Sequence, residues 1–127
     1  MAEKTEQKKK VLVIEDDESV ARVYAIKLQQ LGVDVVMAGD GEAGFAKLKE
    51  EKPSVVLLDL MLPIKDGFWV LEERGKVPAL KKVPVIVLSN LGQETDKERA
   101  TSLGATEYLV KANISIKDLL DKIKTYL

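Results

Sequence analysis

Pro53-Ser-Val-Val-Leu-Leu-Asp-Leu-Met-Leu-Pro63 carries the strongest fold signal in the chain. Val55-Val-Leu-Leu58 is a short apolar run between turn-forming residues, with no polar side chain on either alternating face. Such a run reads as a strand buried on both faces, as in a parallel sheet. Val11-Leu-Val-Ile14 upstream and Val85-Ile-Val-Leu88 downstream have the same character. Val33–Ala38 and Thr106–Val110 are more mixed and read as strands nearer the sheet edges.

Helical spacing fills the intervals. Val20, Val23, Tyr24, Leu28 and Leu31 share one face, with Gly32 placed to end that helix. Gly41–Glu51 fills the next interval, and Asp66 is a cap for a helix opening Gly67-Phe-Trp-Val-Leu71. Thr95 with Glu98 marks another helix start and Gly104 its stop. Ser115 with Asp118 resembles a capping box before the stripe Ile116, Leu119, Leu120, Ile123 and Leu127. Pro53, Pro63, Pro78 and Pro84 fall outside helix interiors. The order is strand–helix five times over with short connections. Right-handed crossovers then predict one α/β domain, a doubly wound (βα)5 parallel sheet covered on both faces as a three-layer sandwich.

Composition narrows the chemistry. The 127 residues carry 20 Lys+Arg and 21 Asp+Glu, with no His and no Cys, which suits a single domain. Serine–histidine hydrolases, His- or Cys-ligated zinc enzymes, disulfide scaffolds and phosphohistidine carriers are excluded. A net charge of −1 gives no bulk reason to expect nucleic acid. No run approaches the roughly 18 apolar residues of a membrane span. Residues 1–9 read as a flexible, solvated tail without the apolar stretch of an export signal, and the cytoplasm is the expected location.

Ligands of open α/β sheets bind beyond the carboxyl ends of the strands, so the residues there carry the functional reading. The first strand runs into Glu15-Asp16-Asp17-Glu18, the third into Asp59, the fourth into Ser89-Asn90 and the fifth into Lys111. If Glu15, Asp16 and Asp59 converge, each pair about 4 Å apart repels by roughly 4 kcal/mol at an effective dielectric of about 20. They then need a compensating cation. Lys111 supplies one charge, and hard oxygen ligands in an incomplete shell favour Mg²⁺. With the ion on Asp16 and Asp59, Asp59 could serve as nucleophile toward a phosphoryl group, with Lys111 neutralising charge and Ser89 donating a hydrogen bond. Blander roles exist for each residue taken singly. Asp17 reads as a helix cap and Glu18 as a surface charge favoured by the helix dipole. Asp59 after four apolar residues is the hardest to dismiss.

Val11-Leu-Val-Ile-Glu-Asp-Asp17, Leu57-Leu-Asp-Leu-Met-Leu-Pro-Ile-Lys-Asp-Gly67, Val85-Ile-Val-Leu-Ser89 and Tyr108-Leu-Val-Lys111 together resemble the CheY-like receiver domain of two-component response regulators. The resemblance covers residues 10–127 and implies a flavodoxin-like sheet of order 2-1-3-4-5. It implies that Asp59 takes a phosphoryl group from a sensor histidine kinase or phosphotransfer protein. Asp16 would bind Mg²⁺ directly, Glu15 through water, and the Met61 backbone carbonyl would add a ligand. Ser89 and Lys111 would contact the phosphoryl group. Ser89 and Tyr108 would act in switching, although an edge-strand aromatic is also ordinary packing. The output surface would span roughly Glu94 to Leu127. Trp69 receives no role.

This sequence departs from the family pattern in three places. Glu15 replaces the commoner Asp. Asn90 stands where Ala or Gly is usual and is expected to screen the site. Ala112 stands where the family has Pro after a cis bond. A cis bond before Ala costs about 2.5–4 kcal/mol, yet the expectation leans to cis because the lysine's geometry depends on it. The reading is a signalling switch rather than a turnover enzyme, acting as a stand-alone monomer through protein contacts, with dimerisation on phosphorylation left open. Three rival readings each match part of the sequence. Gly39-Asp-Gly-Glu-Ala-Gly44 matches a dinucleotide-binding pattern, but lies one strand–helix pair too late. An aspartyl-phosphate phosphatase needs a second acid where Met61 stands. A domain retained only for docking would have no need of Asp16, Asp59, Ser89 and Lys111 together.

Overall fold

A computed structural model describes residues 9–127, so the expectation for the leading tail lies outside the described residues apart from Lys9. Five parallel strands are β1 (Lys10–Ile14), β2 (Asp34–Ala38), β3 (Val55–Leu58), β4 (Val85–Ser89) and β5 (Glu107–Val110), in the order β2-β1-β3-β4-β5. The helices are α1 (Glu18–Gln29), α2 (Gly41–Glu51), α3 (Gly67–Gly75), α4 (Pro78–Lys81), α5 (Glu94–Ser102) and α6 (Ile116–Lys124). The doubly wound sheet and its order are as expected.

Alternation along the strands divides the core in two. Leu12, Ile14, Val56, Leu58, Val85 and Val87 face one side with Leu48, Phe68 and Leu71 from α2 and α3. Val11, Val13, Val55, Leu57, Ile86 and Leu88 face the other with Ala21, Leu28, Leu119 and Ile123 from α1 and α6. Each fully buried Val, Leu or Ile is worth about 1.5–3 kcal/mol, so the central strands dominate the favourable side of folding. β1, β3 and β4 are almost wholly buried, whereas β2 and β5 are only partly covered, in keeping with their edge positions.

Several local expectations hold and others do not. Asp17, Asp66 and Ser115 cap α1, α3 and α6, each side chain accepting a backbone N–H of the first turn. Gly32 and Gly104 adopt positive φ just past α1 and α5, where a Cβ would be strained. Thr95 is not a cap. α5 begins at Glu94 behind Gln93, whose side chain makes no capping bond. The four-residue α4 adds a turn of helix that no apolar stripe marks in the sequence, and Pro78 fits at its start because no N–H is needed there. The last helix ends at Lys124 rather than running to Leu127. The expectation of a cis bond at Lys111–Ala112 is also corrected. No described peptide bond is cis, and the chain leaves β5 through a 3-10 turn at Lys111–Asn113. Trans is the intrinsically favoured form before a residue other than proline.

The β3–α3 loop contains a strained position. The Lys65 N–H donates to Pro63 C=O at 2.7 Å, closing a three-residue turn with Ile64 at φ 69°. A β-branched residue is disfavoured there, and Ile64 is 70% exposed, so burial offsets little of the cost. Ile64→Gly, which has no Cβ to strain at positive φ, is therefore expected to stabilise the protein by about 1 kcal/mol, read as a raised urea midpoint with unchanged slope.

Candidate functional site

Strand register assembles the site. Ile14 pairs with Leu58, and the Asp59 N–H extends the ladder to Ile14 C=O at 3.0 Å, setting Glu15 and Asp59 side by side past the strand ends. Ser89 pairs with Val110, which places Lys111 one residue beyond them on the neighbouring strand. One oxygen each from Glu15, Asp16 and Asp59 falls within 4.8 Å of the others. The predicted acidic residues and the lysine therefore do converge.

Lys111 Nζ bridges two carboxylates, donating to Glu15 Oε1 at 2.6 Å and to Asp59 Oδ2 at 3.1 Å. The remaining oxygens are held by backbone. Asp59 Oδ1 accepts from the Met61 N–H at 3.1 Å, and Glu15 Oε2 accepts from the Asp17 N–H at 3.1 Å. Glu15 and Asp59 are only 5% and 7% exposed, while Asp16 lies open to solvent. One ammonium thus bridges two buried carboxylates with a third, Asp16, alongside them, so the cluster holds more acidic groups than cations. Burial pushes the Glu15 pKa up, the Asp59 charge adds to this, and the hydrogen bonds from Lys111 and Asp17 oppose it. For Lys111 burial acts downward, but its bonds to Glu15 and Asp59 outweigh it and the net shift is upward. The lysine therefore stays charged at neutral pH. A cleft of about 500 Å³ beside the acidic pair is lined by Glu15, Asp16, Glu18, Met37 and Gly39.

Ser89 is fully buried, and its Oγ accepts from the Leu91 N–H at 3.3 Å, leaving its O–H proton for another acceptor. Half-buried Tyr108 donates its hydroxyl to Leu91 C=O. Leu91, which no sequence motif marks, therefore links the two residues that the resemblance implies in switching. Asn90 is exposed beside them, and Met61 projects outward at 58% exposure. Trp69 packs edge-on against Phe45, with ring centroids 5.7 Å apart.

The Gly39–Gly44 pattern has a structural explanation. A Cβ on Gly41 would lie 2.0 Å from Lys65 C=O, and one on Gly44 would lie 2.7 Å from the Ile14 side chain. Two of its three glycines thus permit close packing of α2 against the β3–α3 loop and the sheet. The third, Gly39, meets nothing within 4 Å.

Three oxygen donors gathered in this way are compatible with a hard divalent cation such as Mg²⁺. The family model for the response regulator receiver domain matches residues 11–124. A "Probable transcriptional regulator ycf27" of Porphyridium aerugineum is 40% identical over 121 residues, covering 95% of this chain and 49% of that protein. The "DNA-binding dual master transcriptional regulator RpaA" of Synechocystis is 34% identical, over 93% of this chain and 48% of its own length. The chain thus spans about half the length of these relatives. Among solved structures, the Francisella response regulator 1452 receiver domain superposes with a TM-score of 0.85 at 30% identity, covering 93% of this chain and 95% of that one. The Mn²⁺-bound form of response regulator Rcp1 gives 0.78 at 32% identity, with 92% and 90% covered.

Proposed function

Because the chain belongs to the response regulator receiver domains of two-component systems, we propose that it is a phosphorylation-activated switch with Asp59 as phosphoacceptor. The observation carrying this reading is the Lys111 ammonium shared between Glu15 and Asp59, with Asp16 alongside at the carboxyl edge of the sheet. Glu15, Asp16, Asp59 and the Met61 carbonyl would hold Mg²⁺. The ion would supply Lewis-acid neutralisation of the phosphoryl oxygens.

The chain's own groups do the rest. The Met61 N–H and Lys111 fix the plane of the Asp59 carboxylate. An oxygen lone pair of Asp59 forms the new O–P bond as the P–N bond to a phosphohistidine breaks. The electron pair leaves on the imidazole nitrogen, which takes up a proton. Lys111 offsets the charge brought in on the phosphoryl oxygens, and the Ser89 hydroxyl donates to one of them. The Leu91 backbone then changes its partners, because Ser89 and Tyr108 both hold it, and this biases the face formed by α5, β5 and α6. A sensor histidine kinase or phosphotransfer protein supplies the phosphoryl group in the cytoplasm. The output is binding rather than turnover, through a downstream protein or a following segment of a longer chain. No helix of the described residues is long and apolar enough to cross a membrane.

The test is intact mass after incubation with acetyl phosphate, with and without Mg²⁺, beside Asp59→Asn. One phosphoryl adduct is expected in the wild type with Mg²⁺, and none in the variant or without the ion. An unmodified wild-type protein, or an adduct persisting in the variant, would overturn the assignment.

A further inference from the structure

Arg74 is the one buried cation outside the acidic site among the described residues, and the proposed switch does not use it. It sits in the last turn of α3 at 4% exposure, on the same helical face as Val70 and Leu71. All its acceptors are backbone carbonyls on other segments. Nε and Nη2 donate to Val83 C=O at 3.2 and 2.7 Å, Nη2 to Lys81 C=O at 2.9 Å, and Nη1 to Gly104 C=O at 3.4 Å. Lys81 ends α4, Val83 leads into β4, and Gly104 follows α5, so one guanidinium ties three chain segments to α3. Gly104 suits the contact twice over, with φ at 104° and a notional Cβ 3.0 Å from Nη1. A cation among carbonyls at helix C-termini is also favoured by the helix dipoles.

The rest of α5 is held weakly. Ala100 is its one buried residue, its N-cap side chain makes no bond, and Arg99 lies over the Phe68 ring at 4.0 Å from the exposed side. The segment before it is held through Leu91 by Ser89 and Tyr108, the residues that answer to the phosphoryl site. The two ends of α5 are therefore tied to different things: the leading end to the site, the trailing end to Arg74 through Gly104 and, two residues on, to β4 through Thr106.

We propose that Arg74 is the positioning residue that fixes the trailing end of α5, making it a pivot so that events at Asp59 swing the leading end instead of displacing the helix as a whole. The swing rests on the switch reading; the clamp does not. Backbone hydrogen exchange of wild type, Arg74→Lys and Arg74→Leu tests both, with rates corrected for each protein's global stability. The Gly104 and Ala105 amides, bonded to Thr101 and Ala100 carbonyls, report the trailing end, and Leu91 reports the leading one. In the resting protein both variants are expected to lose about tenfold or more protection at Gly104 and Ala105, with Leu91 changed less than about twofold. Leucine restoring wild-type protection would overturn the clamp, since it would show that apolar filling suffices. Unchanged or uniformly lowered protection in both variants would also overturn it. After acetyl phosphate treatment, wild-type changes should stop short of Gly104, while in Arg74→Lys they should reach Ala105. Wild-type changes as large at Ala105 as at Leu91 would overturn the pivot. Mass measured on the same samples separates the two readings. Absence of an adduct removes both the switch and the swing, and the resting comparison still decides the clamp.

Discussion

Lys111→Met is expected to cut Asp59 phosphorylation by about a hundredfold or more and to make stability strongly dependent on pH and on divalent cation. The reason is the bridge. Removing the ammonium leaves the Glu15 and Asp59 carboxyl groups buried and facing each other, with backbone N–H donors as their remaining described partners. Breaking a fully buried pair typically costs about 3–5 kcal/mol. The cleft beside the acidic pair lets in water and ions, so about 2 kcal/mol near pH 8 in chelator is the expected loss. Glu15 already has its pKa raised, by burial first and by Asp59 in addition, and loss of Lys111 deletes an opposing contribution. A carboxyl whose folded pKa exceeds its unfolded value binds the proton more tightly when folded. Its contribution therefore falls as pH rises from the ordinary value of 4.5 through the raised one. The variant should thus come closest to wild type in mildly acid solution and fall furthest behind in alkaline solution. Millimolar Mg²⁺ should restore most of the loss at high pH, because a divalent cation replaces the missing charge. Thermal unfolding of both proteins across pH, with and without Mg²⁺, checks this. A pH-independent difference would mean that Lys111 contributes through packing of its stem alone.

Gly67→Ala is expected to cost about 3 kcal/mol and to impair phosphorylation in whatever fraction stays folded. A Cβ there would lie 2.5 Å from Asp59 C=O and 2.7 Å from Leu60 Cα. The first is the backbone oxygen of Asp59 itself, the proposed phosphoacceptor, and the second belongs to the next residue, so neither can swing aside as a side chain end would. The Gly67 N–H also donates to Leu60 C=O at 3.0 Å, so the turn that starts α3 rests directly on the end of β3. Gly39→Ala is the matched control, since its Cβ would meet nothing within 4 Å and its φ is not positive. Urea unfolding and the yield of phosphoryl adduct should separate the two, with Gly39→Ala near wild type in both. Equal behaviour would show that the β3–α3 loop moves freely enough to absorb a methyl group. The chemistry would then not depend on this close approach.

These residues also mark how far one-dimensional information reached. The three central strands were legible because burial on both faces demands unbroken apolar runs, and Val55–Leu58 or Val85–Leu88 admit little else. The caps at Asp17, Asp66 and Ser115 were legible because a short acceptor before an apolar stripe has a local reason to be there. Thr95 met the same rule and failed it. α5 is polar on nearly every face, so no apolar stripe fixed where its first turn begins. The cis expectation at Ala112 failed because it was carried over from a pattern whose proline this chain lacks, and nothing local favours cis without it.

By itself the sequence determined the strand–helix order, the burial of the sheet and the residue types at the strand ends, since each follows from periodicity or from what directly succeeds an apolar run. The placing of the Lys111 ammonium between Glu15 and Asp59 came from the folded chain, because strand register is a property of pairs of segments far apart in the sequence. The folded chain also decided the Leu91 linkage and the Arg74 clamp. In both, the partners are backbone carbonyls or amides. Every residue carries such groups, so their use depends on which segments the fold brings within hydrogen-bond reach, and no side-chain pattern records that choice.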